Sequence, residues 1–214
     1  MSKRYTLDDI GLSRDERKLL LKLNSPEKIQ RFIAQDLAQN FEEDGPTLMS
    51  LRETLRSKKA HCIEAAFVAA AAFWVNGELP LLLDLRAEDD DDHVVALFKR
   101  NGHWGAISKS NHSVVRYRDP IYRTLRELSL SYVHEYYNKN YKKTLREYSR
   151  ALDLRRVDPS LWVSGGRENW KMAEILDQVH HYPLMNKTQA KRLVPLDPTE
   201  RDAAKILSFS RSRK

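Results

Sequence analysis

The stretch "KKAHCIEAAFVAAAAFWVNG", residues 58–77, decides how this sequence is interpreted. It contains the single cysteine of the chain, Cys62, directly before a run of alanines and large apolar residues. A helix that is apolar nearly all round is buried on most of its sides, and Asn76-Gly77 is typical of a helix C-terminus. The pattern therefore predicts a buried helix that begins near Cys62. A thiol in its first turn is either a small core residue or a nucleophile.

After this helix the spacing of apolar residues changes from a helical pattern to a strand pattern. The run "LPLLLDLRA", residues 79–87, predicts a buried strand. The segment "HVVALFKRNGHWGAISKS", residues 93–110, predicts a hairpin, because Asn-Gly between two apolar runs is the preferred type I′ turn. In that register Arg100 pairs with His103, and His93 lies opposite Ser110.

The rest of the chain has mainly helical patterns. Helices are predicted over residues 12–23, 26–40, 47–57, 124–139, 141–152 and about 168–180. Helices, one buried helix, a few antiparallel strands and further helices in this order indicate an α+β fold. We divide the chain into a core with N-terminal helices over residues 1–150 and a helical C-terminal extension over residues 151–214, packed on or near the core.

Composition narrows the class of protein. A single cysteine among 214 residues excludes an intramolecular disulfide, and we expect a cytoplasmic protein. The N-terminus lacks an apolar signal region, and the longest apolar stretch, around residues 65–75, is too short to span a bilayer. The formal charge of +7 raises a nucleic-acid partner as a possibility, but the basic residues are spread out except in the tail "SFSRSRK". We therefore do not favour nucleic acid or membrane as a partner.

Two distant residues form the candidate chemistry. A cysteine nucleophile needs a lowered thiol pKa, a nearby base and a group that orients the base. The positive end of a helix dipole favours a thiolate at Cys62, and His93 at the head of its strand is the candidate base. The hairpin register places the orienting group near Ser108, Ser110 and Asn111.

These residues resemble a known family. "AHCIEAAFVAAAAFWVNGELPLLLDL" and "DHVVALFKRNGHWGAIS" are similar to the cysteine helix and the histidine hairpin of the transglutaminase-like branch of the papain-like cysteine hydrolase superfamily, over roughly residues 45–120. The resemblance implies a papain/transglutaminase-like core in which a buried cysteine-bearing helix packs on a small antiparallel sheet. It also implies proteolysis, deamidation, amide crosslinking or arylamine acetylation, with Cys62 as nucleophile and His93 as base.

The third position departs from the family pattern. The family usually has an aspartate four residues after the tryptophan, whereas here Trp104 leads to Ser108. A serine can orient an imidazole but cannot offset its charge. We therefore expect Asn111 to orient His93, with Asp119, part of an Asp-Pro pair, as the second choice.

The acidic run "AEDDDDH", residues 87–93, has two interpretations. It is a solvated loop or, at the mouth of the site, a surface that attracts cationic acyl acceptors such as an amine. No cofactor or metal is expected.

The predicted function is cysteine acyl transfer on a protein, peptide or small amide or amine substrate. The alternatives are a papain-like binding module that has lost catalysis and a basic nucleic-acid-binding protein. The binding module gains support if neither Asn111 nor Asp119 reaches His93.

Overall fold

The structure, a computed structural model, describes residues 3–210 of the chain. Residues 211–214, the end of the basic tail on which the nucleic-acid alternative depends, lie outside the described residues. None of the helices in the described range combines the length and the apolar character that a bilayer crossing requires.

The described chain is an α+β protein. Its α-helices are α1 Arg14–Lys22, α2 Pro26–Arg31, α3 Leu51–Ser57, α4 Cys62–Val75, α5 Leu125–Leu130, α6 Trp170–Gln178, α7 Lys187–Lys191 and α8 Pro198–Ala204. A π-helical turn covers Phe32–Asp36, and 3-10 turns cover Leu154–Arg156 and Pro159–Leu161.

The strands are β1 Ala38–Gln39, β2 Lys59–Ala60, β3 Leu81–Ala87, β4 His93–Arg100, β5 His103–Ile107, β6 Arg118–Tyr122, β7 Leu145–Ser149, β8 Leu152–Asp153 and β9 His181–Pro183. The pair β1-β2 is parallel. The other seven described strands form an antiparallel sheet in the order β6-β5-β4-β3-β7-β9, with β8 paired to β3.

The predicted buried helix is confirmed as α4. It begins at Cys62, residues 63–74 are all buried, and Gly77 after it has a φ of +88°. Glycine suits this left-handed position because it has no Cβ to clash. The small alanine side chains let α4 lie close to β4, so the start of the helix and the start of the strand belong to one packed unit.

The predicted hairpin is also confirmed. Arg100 pairs with His103, and both turn residues have positive φ, 50° for Asn101 and 79° for Gly102. These values belong to the type I′ turn, whose twist matches that of the flanking strands. Strand β5 ends at Ile107, so the position opposite His93 lies beyond the paired residues.

Both faces of the sheet are covered, which explains why its central strands are apolar without interruption. Alternate residues face α4, namely Leu82, Val94, Ala96 and Phe98. The residues between them face α5 and the segment that follows it, namely Leu83, Leu85, Val95 and Leu97. His93 therefore starts a strand that is held from both sides.

Three predicted helices differ from the structure. The helix over residues 141–152 is instead β7 and β8. Its charged residues make ion pairs with β3 and with the loop that follows it, Glu147 with Arg86 and Arg146 with Glu88, so tertiary pairing overrides the polar pattern. The helix over 124–139 ends at Leu130 and continues as turns, and the helix over 26–40 divides into α2, the π-helical turn and β1.

The residues after 150 contribute strands and core residues as well as helices. Strands β8 and β9 join the central sheet. Trp162 is fully buried and stacks on Trp74 of α4, with ring centroids 6.3 Å apart. The predicted division near residue 150 stays a prediction.

Candidate active site

Cys62 is the first residue of α4, and the chain enters the helix through the short β1-β2 pair. His61 precedes it in extended conformation, and its carbonyl accepts the helical bond from the Ala65 amide. The amides before Ala65 are those that helix geometry leaves without an intrahelical partner. The sulfur therefore lies at the positive end of the helix dipole.

His93 is the first residue of β4 and is held by Ser108. The Nε2 atom of His93 is 2.8 Å from Ser108 Oγ. Ser108 is buried, and its hydroxyl donates to the Val115 carbonyl at 2.6 Å. Because the single hydroxyl proton of Ser108 is used in that bond, the Ser108 oxygen accepts a hydrogen bond from the N–H at Nε2 of His93. This assignment leaves Nδ1 of His93 free to exchange a proton with the thiol.

Two imidazoles, those of His61 and His93, line the cleft together with the thiol. The Cys62 residue is partly exposed. Loss of water around its sulfur raises the pKa of the thiol. The charge of His93 and hydrogen bonds from His61 and His93 outweigh that effect and hold the pKa of Cys62 well below its ordinary value. The structure thus brings together Cys62 and His93, which are far apart in sequence, and adds His61.

Sequence reasoning missed the role of His61. Its Nε2 atom is 2.9 Å from the Thr47 carbonyl and 3.2 Å from Glu64 Oε1. Burial lowers the pKa of His61, but the hydrogen bond and charge of Cys62 and the charge of Glu64 outweigh it and raise the pKa to about 9. His61 is therefore a cation beside the sulfur at neutral pH.

Glu64 is completely buried and anchors this side of the site. Its carboxylate accepts hydrogen bonds from the Met49 amide at 2.8 Å and the His61 amide at 2.9 Å. The Thr47 hydroxyl and the Asn40 side-chain amide also donate to it, at 3.1 and 3.2 Å. A buried carboxylate is tolerated only when it is paired in this way. A lone glutamate in an alanine-rich helix, three residues after a histidine, is the sequence signal that could have revealed the pair.

Asn111 does not orient His93. Its Nδ2 donates to the Phe209 carbonyl at 3.0 Å, and its Oδ1 accepts from the Phe209 amide at 2.9 Å, so the amide is turned to the C-terminal segment. The Ser110 hydroxyl accepts from the His112 amide at 3.1 Å. Asp119 is exposed on β6. Of the residues considered for the third position, Ser108 is the one bonded to His93.

The residues of the site open into a cleft of about 820 Å³. Cys62, His61, His93 and the acidic residues 90–92 line it. The Tyr136 hydroxyl donates to the Asp91 carbonyl, and the Thr144 hydroxyl donates to Asp90 at 2.7 Å. These bonds fix the acidic loop as a wall of the cleft.

One group of carboxylates has the residue types of a cation site. Asp84, Asp92 and Asp177 offer oxygens within 4.8 Å of one another. The Arg86 guanidinium lies 4.0 Å from Asp92 and 3.6 Å from Asp177, and His181 lies 3.1 Å from Asp84. Because the Arg86 guanidinium already supplies positive charge to Asp92 and Asp177, and His181 occupies Asp84, we assign no metal to this group.

Comparison of the chain with protein-family models and with curated proteins finds no match.

Proposed function

We propose that the protein is a cysteine acyl-transfer enzyme of transglutaminase-like type, with a papain-like core. The observation that carries the proposal is the thiol at the start of α4 in one cleft with two oriented imidazoles, those of His61 and His93. A partly exposed cysteine of lowered pKa is the environment of a nucleophile rather than of an inert core thiol. The proposal extends to hydrolysis and to transfer, which differ only in the acceptor.

The two imidazoles have different roles. His61, paired with the charge of Glu64, is the fixed cation that stabilises the thiolate. His93 is held by a neutral hydroxyl, which orients the ring without placing a counter-charge beside it. His93 is therefore the proton carrier.

The reaction follows from these roles. The Cys62 thiolate attacks the carbonyl carbon of an amide or ester, and the amides of the first turn of α4 stabilise the oxyanion. The C–N or C–O bond then breaks, the leaving group takes a proton from His93, and a thioester forms on Cys62. Water or an amine attacks the thioester and gives a proton to His93, and the sulfur leaves as thiolate.

The acidic residues that line the cleft favour a cationic acyl acceptor. Asp91 and Glu42 line the cleft together with Cys62. Negative side chains raise the local concentration of cations. We propose that a primary amine competes with water for the thioester.

The binding-module alternative has one observation in its favour, because neither Asn111 nor Asp119 is bonded to His93. Ser108 takes that place and carries no charge, which weakens the match to a catalytic triad. The His61-Glu64 pair favours the enzyme, since a binding module has no need of a lowered thiol pKa.

Alkylation of the only cysteine tests the proposal. We expect the rate of Cys62 modification by iodoacetamide to stay high well below the pH at which an ordinary thiol ionises. The rate at neutral pH falls in His93→Ala and in His61→Ala. A second measurement uses p-nitrophenyl acetate, from which the folded protein releases a burst of one p-nitrophenol per chain, and Cys62→Ser releases none. Labelling that requires unfolding, or a thiol with an ordinary pKa, contradicts the proposal.

A further inference from the structure

The C-terminal segment, residues 203–209, lies along one wall of the cleft that contains Cys62. Ala204 and Lys205 line this cleft together with the thiol and His93. The segment begins with the last two residues of α8 and runs beside residues 110–113. The chain therefore places part of itself next to its own candidate nucleophile.

Asn111 binds this segment through its peptide groups. The Asn111 amide pairs with both the N–H and the C=O of Phe209, and the Ser208 amide donates to the Asn111 carbonyl at 2.8 Å. An antiparallel bridge joins His112 to Leu207. These bonds resemble the addition of a peptide strand to an exposed edge. These bonds use only peptide groups of the segment, so another extended polypeptide can make the same bonds. The side chains add two contacts of their own, because the Ser208 hydroxyl accepts a hydrogen bond from Arg116 Nη2 and the Phe209 ring contacts Lys109.

Polar bonds rather than apolar burial hold the segment. Ile206 is 62% exposed and Leu207 is 46% exposed. The Phe209 ring lies over the Lys109 ammonium, with the nitrogen 5.0 Å from the ring centroid. A segment with few buried apolar contacts opens at low free energy. The contact is therefore exchangeable.

We propose that residues 110–112 form a binding site for an extended polypeptide, which the C-terminal segment fills in this structure and which a polypeptide substrate takes over when the segment leaves. The proposal rests on the proposed function, because it identifies a polypeptide as the substrate of Cys62. In this proposal Asn111 binds the peptide groups of the polypeptide and does not orient His93.

The test compares two alkylating reagents on the full chain. Ser208→Pro removes the amide that donates to the Asn111 carbonyl and the hydroxyl that accepts from Arg116, and it leaves residues 110–112 themselves unchanged. Ser210→Pro is the matched control, because Ser210 makes no hydrogen bond to residues 110–112 in the described part of the chain. We expect Ser208→Pro to raise the rate of Cys62 alkylation by a peptidyl chloromethyl ketone about five- to tenfold, as the loss of two exposed hydrogen bonds allows. The rate with iodoacetamide changes less than about twofold.

A peptide and a second variant complete the test. Added peptide AAKILSFS, residues 203–210, slows the peptidyl reagent on Ser208→Pro, and a scrambled peptide does not. Asn111→Ala frees the segment but also removes the site, so it shows no gain with the peptidyl reagent. An unchanged ratio of the two rates in Ser208→Pro, or a peptidyl reagent that fails on every variant, overturns the polypeptide site. The pH profile with iodoacetamide separately decides whether Cys62 is an activated thiol, so the two failures are distinguishable.

Discussion

The two sides of the thiol are built in contrasting ways. His61 and Glu64 belong to the same turn of chain as Cys62, and the charge of Glu64 is buried with its donors around it. His93 and Ser108 come from the hairpin of the sheet, and the orienting group is neutral. A fixed charge suits a constant stabiliser of the thiolate, whereas a neutral partner suits a ring that must gain and lose a proton. The histidine next to Cys62 in sequence therefore suits the role of a fixed cation, and the histidine distant in sequence suits the role of the proton carrier.

The largest expected effect is on acyl transfer in His93→Ala. Removal of a general base lowers rates by about 10²–10⁴-fold. His61→Gln keeps the proton carrier, so we expect a loss of about tenfold. The rate of p-nitrophenyl acetate turnover checks both variants. Equal losses in the two variants contradict the assignment of His93 as proton carrier and His61 as fixed cation.

Next in size is the stability of Glu64→Gln. A glutamine has about the shape of the glutamate but turns an NH₂ donor toward groups that are themselves donors, including the amides of Met49 and His61. We expect a loss of about 2–4 kcal/mol in the free energy of unfolding. Urea denaturation measures it. Glu78→Gln is the control, since it alters a partly exposed ion pair with Arg100 and costs less than about 1 kcal/mol.

A smaller effect concerns the charge of His61 and its contribution to stability. The pKa of His61 is raised from 6.5 to about 9 in the folded protein. Its contribution to stability is therefore fully present below pH 6.5 and is lost as the pH rises through about 9. The lowered pKa of Cys62 acts in the opposite direction in both proteins. We therefore expect the urea midpoint of the wild type to fall over this interval relative to that of His61→Gln. Parallel curves for the two proteins count against a charged His61.

The smallest predicted effect concerns Ser108→Ala. The ring of His93 loses its 2.8 Å hydrogen bond but keeps the packing against Tyr136, with ring centroids 6.4 Å apart. We expect turnover to fall a few-fold to about tenfold, while alkylation of Cys62 by iodoacetamide changes little. Ser110→Ala is the matched control, because the Ser110 hydroxyl is bonded to the His112 amide rather than to His93. A loss as large as that of His93→Ala contradicts a purely orienting role.

Particular elements show how far sequence reasoning extends. The hairpin at Asn101-Gly102 and the helix from Cys62 were predictable because turn chemistry and apolar period are local signals. Strand β7 was missed because its charged residues are satisfied by partners on other strands and loops. The role of Ser108 depended on one hydroxyl meeting the Val115 carbonyl, a contact that no spacing encodes.

Local patterns in the amino-acid sequence are enough to predict an α+β chain with one cysteine at the start of its buried helix and a histidine at the head of the next hairpin. Packing between separate elements brings the imidazoles of His61 and His93 into one cleft with the thiol, sets Glu64 against His61, and turns Asn111 to the C-terminal segment. Local patterns set which elements form, because they act through near neighbours along the chain. Distances between side chains from separate elements are set by packing, and these distances decide the pKa values and the chemistry.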